Sequence, residues 1–158
     1  MIILGIDPGT TRIGYGVIKK ENNKFSHLKS GILEIKEESN ASKILSLEME
    51  LEKIINKFKP DKIGVEKIFF SKNKKTAIKV AEARGVILSL VYKKSIPVAE
   101  MEPSKIKLAV TGNGRSSKKG VAKMVHYFLK IPTNELIDDE TDALAIAIAT
   151  DSYIKTSP

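Results

Sequence analysis

The chain contains no cysteine, which excludes disulfide scaffolds, zinc ribbons, thiol nucleophiles and thiol redox switches together. Only two histidines are present, His27 and His126, so a histidine-rich metal site is excluded as well. No apolar run approaches the ~20 residues of a membrane span; the longest is ALAIAIA, at Ala143–Ala149. The amino terminus, MIILGIDPGTT, has no basic segment before its short apolar stretch, so a secretory leader is not expected. Arginine is scarce, 3 residues against 24 lysines. These absences together lead us to expect a soluble, cytoplasmic protein with no membrane partner.

What is present suits one domain of ordinary size, covering residues 1–158. An apolar fraction of 42% with 6% aromatics supplies a core and excludes intrinsic disorder. The net charge of +8 is unevenly spread. Lys53–Lys123 carries 18 basic and 5 acidic residues, whereas the remainder carries 9 and 14. A solvated face would account for an ordinary charge run. An imbalance of this size points to a polyanionic partner, because neutralising phosphates releases condensed counterions. Lysine in place of arginine favours tracking a phosphate backbone over forked recognition of base edges.

The first third reads as three strands: Ile2–Asp7, Arg12–Lys19 and Phe25–Ile35, the last following a Glu21-Asn22-Asn23 turn. Their short connections predict an antiparallel meander. Helices then alternate with strands. Ser42–Phe58 has a helical apolar face stopped by Pro60, Lys62–Glu66 is a short strand, and Thr76–Lys93 is helical again. Ser95–Glu100 reads as a last strand, followed by helices at about Pro103–Val110, Ser117–Lys130 and Asp138–Ile154. The order predicts an α/β fold, a mixed sheet with helices on its faces. Thr111–Gly120 (TGNGRSSKKG), rich in glycine and basic residues, is the one segment expected to be flexible.

Four carboxylates stand out by context. Asp7 and Glu66 each end an apolar strand, where an ionised group is costly unless it is paired or metal-bound. Asp139 and Asp142 are three apart at the start of the last helix and so share a face. Each has a plainer reading: Asp7-Pro8-Gly9 as a turn, Glu66 as an exposed strand end, Asp138 or Asp139 as a helix N-cap. Strand ends meet at one rim of an open α/β sheet, and crowded carboxylates repel one another unless cations intervene. All-oxygen ligation selects Mg2+ or Mn2+. Two such ions ~4 Å apart promote in-line phosphoryl displacement. An acidic metal nest beside a basic surface reads as a nuclease.

The segments GIDPGTTRIGYGVI, VEKIFFSKNKKTAIKVAEARGV and DETDALAIAIA resemble the RuvC family of Holliday junction resolvases, collinearly from Ile3 to about Thr150. The resemblance implies a ribonuclease H-like fold with a five-stranded mixed sheet flanked by helices. It makes Asp7, Glu66, Asp139 and Asp142 the catalytic ligands of Mg2+, two ions per site, with Mn2+ as a substitute. It places Lys107 and Lys118 near the scissile phosphate and gives Phe69 the role of stacking on opened bases. The neighbouring basic residues Lys72, Lys74, Arg115 and Lys119 are further candidate DNA contacts. The family's substrate is four-way junction DNA, nicked on two strands of like polarity to leave 5′-phosphate and 3′-hydroxyl ends. It also implies a two-fold homodimer formed through the helix at Thr76–Lys93, and cooperation with RuvA and RuvB. The competing readings are another ribonuclease H-like nuclease, a sugar-kinase-like protein suggested by Asp7-Pro8-Gly9-Thr10-Thr11, and a junction-binding module without chemistry.

Overall fold

The computed structural model describes residues 1–10, 12–35, 39–67, 74–132 and 135–153. Strands β1 (Ile2–Asp7), β2 (Arg12–Glu21) and β3 (Lys24–Glu34) form the expected antiparallel meander. Asn22 and Asn23 make the β2–β3 turn, both with positive φ (47° and 60°). Such a two-residue turn matches the twist of its strands, and asparagine tolerates the left-handed region. Helix α1 (Asn40–Phe58) starts where the Ser39 side chain accepts from the Ser42 N–H at 3.1 Å. It leads into β4 (Lys62–Glu66), which pairs parallel to β1. Helix α2 (Lys74–Lys93) crosses over to β5 (Val98–Met101), parallel to β4. Helices α3 (Pro103–Thr111), α4 (Lys118–Leu129) and α5 (Asp138–Tyr153) complete the chain. The sheet order is β3-β2-β1-β4-β5, a five-stranded mixed sheet flanked by helices as expected. Among the described residues, no helix is long and apolar enough to cross a membrane.

Two expectations need correction. The strand read at Ser95–Glu100 begins only at Val98. Ser95 turns into the left-handed region (φ 54°), and Ser95 and Ile96 donate back to Tyr92 and Val91, closing the end of α2. Thr111–Gly120 is not a loose loop. Lys118 already belongs to α4, and the Thr111 hydroxyl ties the turn together through the Asn113 carbonyl and the Ser116 hydroxyl. Arg84 of α2 pairs with Glu100 of β5.

The sheet separates two apolar layers. Leu47, Leu51 and Ile55 of α1 and Ile87 and Val91 of α2 pack with Leu4, Ile6, Ile63 and Val65 on one face. On the other face α5 lies over the middle of the sheet, with α3 and α4 packed outside it. That placement explains why α5 is apolar nearly all round, with every residue from Ala143 to Thr150 buried.

The seat of α5 is a row of small residues crossing the sheet. Register pairs Gly16 with Gly5, Gly5 with Gly64 and Gly64 with Ala99. A β-carbon on Gly5 would collide with the Ala143 carbonyl oxygen and lie 2.5 Å from the Ala147 nitrogen. One on Gly64 would strike the Thr150 hydroxyl, and one on Gly16 would lie 2.7 Å from the Leu144 side chain. Helix backbone and sheet backbone are therefore nearly in contact, which larger side chains forbid.

This seat makes Gly5→Ala a severe change, because the clash is with backbone that no rotamer can relieve. Overpacking of this kind costs about 3 kcal/mol, so thermal unfolding should show a Tm lower by about 10 °C. An unchanged Tm would mean that α5 does not sit as closely as described.

Candidate active site

Alternation along the strands decides where Asp7 and Glu66 point. Gly5 and Gly64 face α5, so Asp7 and Glu66, two residues further on, face it too. Ile6 pairs with Val65 in the parallel β1–β4 ladder, which makes Asp7 and Glu66 neighbours at the C-terminal rim. Their carboxyl groups lie within hydrogen-bonding reach of one another. Burial, then the charge of Asp142, pushes Asp7 up to about 6. Burial, then the charge of Asp7, pushes Glu66 up to about 8. The two carboxyl groups therefore share one proton, the usual outcome for a pair in a desolvated site.

The first turn of α5 supplies the opposing acids. Ile137 occupies the cap position: its carbonyl accepts from the Thr141 N–H at 3.0 Å, and its own N–H donates to Glu140 Oε2 at 3.2 Å. Glu140 thus performs the back-reaching half of a capping box. Neither Asp138 nor Asp139 acts as the N-cap, which corrects that alternative. Asp138 is 84% exposed, whereas Asp139 (34%) and Asp142 (33%) are partly enclosed. Of the adjacent aspartates, Asp139 is the one turned toward the sheet, where its charge is felt at Asp7.

Cations surround this group. Lys118 Nζ, on the first residue of α4, lies 3.0 Å from Asp142 Oδ2 and 3.4 Å from Asp138 Oδ2. Its hydrogen bond to Asp142 raises the lysine's pKa. Burial raises Asp142, and Lys118 opposes that rise. Lys107 of α3 lies near enough to Glu66 for its charge to oppose the rise there. Glu66, Lys107, Lys118 and Asp142 share the wall of an open cleft of about 180 Å³ whose floor includes Ile106 and Val121.

The structure thus brings together Asp7, Glu66, Asp139, Asp142, Lys107 and Lys118. Arg115 and Lys119 are exposed on the α3–α4 turn and the first turn of α4, beside the cleft and outside its wall. Phe69 and Lys72 lie outside the described residues, as does the side chain of Lys74. One residue was missed in the sequence. Arg12 Nη2 lies 3.1 Å from Asp139 Oδ2, because Arg12, Gly14 and Gly16 share the face of β2 toward α5. Its signal was its position, four residues before Gly16 of the row and so on the same face of β2.

The donor set is entirely carboxylate oxygen, which suits a hard divalent cation. Among the described residues no three acidic or histidine side chains converge closely enough to hold an ion as they stand. Lys118 engages Asp142 and Asp138 and Arg12 engages Asp139, while Asp7 and Glu66 engage each other. The chemistry fits a metal, and the pairs are what an incoming ion would replace.

Residues 3–150 match the family profile described as crossover junction endodeoxyribonuclease RuvC. The proteins of that name from Pseudothermotoga lettingae and Ruminiclostridium cellulolyticum are 45% identical over 148 residues and 46% identical over 149 residues. These alignments cover 93% and 94% of this chain and 91% and 90% of the relatives. The structure of T. thermophilus RuvC in complex with Holliday junction substrate superposes with a TM-score of 0.87 at 30% identity. That superposition covers 94% of this chain and 92% of the other. The α/β fold is accordingly ribonuclease H-like, and over nearly its whole length the chain belongs to the RuvC family of crossover junction endodeoxyribonucleases.

Proposed function

We propose that this chain resolves four-way DNA junctions in recombination and repair, as one cytoplasmic ribonuclease H-like domain spanning residues 1–158. The observation that carries the reading is the meeting of Asp7 and Glu66, from adjacent strand ends, with Asp139 and Asp142 at the start of α5. These four residues would hold Mg2+, two ions per site, with Mn2+ as a substitute. Divalent ions held there would supply a water activated as nucleophile and charge to stabilise the leaving oxygen. Lys107 and Lys118, already at the cleft wall, neutralise the scissile phosphate and fix its position. The lysine-rich stretch from 53 to 123 tracks the backbones of the arms, with Arg115, Lys119, Lys72 and Lys74 among the contacts and Phe69 stacking on an opened base. The family resemblance adds 5′-phosphate and 3′-hydroxyl ends and the partners RuvA and RuvB.

A junction has two equivalent strands to cut, so a C2 homodimer supplies two sites with matching symmetry. The exposed face of α2 suits that role. Ile78 is 62% and Tyr92 57% exposed, and between them Ala81 and Gly85 leave a flat, small surface. A β-carbon on Gly85 meets nothing within 4 Å in the monomer.

Three outcomes test this reading. Asp7→Asn should lower cleavage of a synthetic mobile junction by more than about a hundredfold, while junction binding in a gel-shift assay persists. Removing one crowded, desolvated charge should also raise the Tm of the metal-free protein by about 3 °C. Cleavage at the wild-type rate would remove Asp7 from the chemistry. Addition of Mg2+ at 100 times its Kd should raise the wild-type Tm by roughly 5–10 °C, since the ion binds only the folded cluster. Gly85→Glu should convert a dimer to a monomer in sedimentation and replace paired nicks by single ones. A variant that still sediments as a dimer would place the interface elsewhere.

A further inference from the structure

The pairing of Arg12 with Asp139 has no counterpart among the roles assigned above. Asp139 lies at the start of α5, where the positive end of the helix dipole already favours a carboxylate. Arg12 opens β2 at the sheet rim, opposite Glu34 of β3, with its side chain 52% exposed. What the pair does is occupy one of the two α5 carboxylates whose charges reach Asp7, the other being Asp142. Gly14, two residues along, fixes this juxtaposition, because a β-carbon there would collide with the Asp139 carbonyl oxygen. Strand and helix turn therefore cannot drift apart without losing their packing.

We propose that Arg12 is a built-in counter-cation that competes with a divalent ion for Asp139 and so sets the metal concentration at which that carboxylate joins the site. Without metal, the guanidinium neutralises Asp139 and limits the repulsion across the cleft. When an ion enters, Arg12 gives up the carboxylate and turns outward into solvent, which its exposure permits. Lys118 stands in the same relation to Asp142, but it also lines the cleft. Arg12 lies outside the cleft wall, so its removal tests the competition without emptying the wall itself. The inference rests on the four-carboxylate metal site proposed above.

The test is a titration of the DNA-free protein with MgCl2 and with MnCl2, followed by calorimetry and by the shift in Tm. Exposed ion pairs are worth little, so Arg12→Ala should bind metal about 1.5- to 5-fold more tightly than the wild type. Arg12→Lys, which keeps the charge but loses the planar fork, should fall between them. In an Asp139→Asn background the same Arg12→Ala change should leave metal affinity unaltered. Unchanged or weaker binding by Arg12→Ala overturns the proposal. So does a gain that persists in the Asp139→Asn background, since that is a general field effect and not competition for one carboxylate. If the wild type shows neither heat nor a Tm shift up to tens of millimolar metal, the acidic site itself fails and this inference falls with it. A metal-responsive wild type matched by an equally responsive Arg12→Ala overturns only the role of Arg12.

Discussion

The near-contact of α5 with the sheet backbone is the constraint on which the rest of the molecule depends. Three glycines aligned across β2, β1 and β4 remove the side-chain layer that ordinarily separates a helix from a sheet. The helix answers with alanines at the points of approach, Ala143 and Ala147. Its first turn is thereby lowered to the level of the strand ends, where Asp7 and Glu66 stand. Had β1 carried an alanine or valine in place of Gly5, Asp139 and Asp142 would be lifted away from the strand carboxylates. Packing on the core side and chemistry at the rim are one geometric problem, solved by residues with almost no side chain.

Lowering acids onto acids has an electrostatic cost, and the site shows how it is met. Desolvation raises Asp7, Glu66 and Asp142 together, so the cluster resists carrying its full charge. One proton shared between Asp7 and Glu66, together with Lys118 and Arg12 on the helix acids, brings it toward balance. This charge crowding is destabilising for the fold and useful for the function, because it is the condition that makes a hard cation bind. A surplus of lysine elsewhere in the chain serves a different end. It lies outside the cluster, on surfaces that a phosphate backbone can follow.

Much of this was legible in the sequence, for physical reasons. Asp7 and Glu66 were visible because an ionised acid closing an apolar strand is costly unless paired or metal-bound, and Asp142 because ALAIAIA after it announces a buried helix. The β2–β3 turn was announced by paired asparagines. Where reading failed, the missing information was tertiary. The first residues assigned to β5 are spent on stopping α2, since Ser95 adopts a left-handed conformation that its identity does not announce. The α3–α4 turn looked loose by composition, but the Thr111 hydroxyl holds it through three partners. Which of Asp138 and Asp139 points inward depends on Glu140 supplying the cap. Arg12 could be understood only once the pairing of β2 and the seat of α5 were known. The glycine row itself is spread over sixty residues of sequence and becomes a row only through strand register.

The edges of the sheet carry a consequence for assembly. One edge, β5, is only four residues long. The other, β3, is long, but its register slips between Val17 and Ile18 of β2, and Lys24 and Lys29 stand exposed along it. Short length, a bulge and charged borders all discourage strand-to-strand addition. Lateral fusion of two sheets into a continuous ribbon is thus disfavoured at both borders, which leaves helical surface as the ground open to packing with another molecule. The borders of the sheet thereby guard the molecule against runaway strand-to-strand polymerisation.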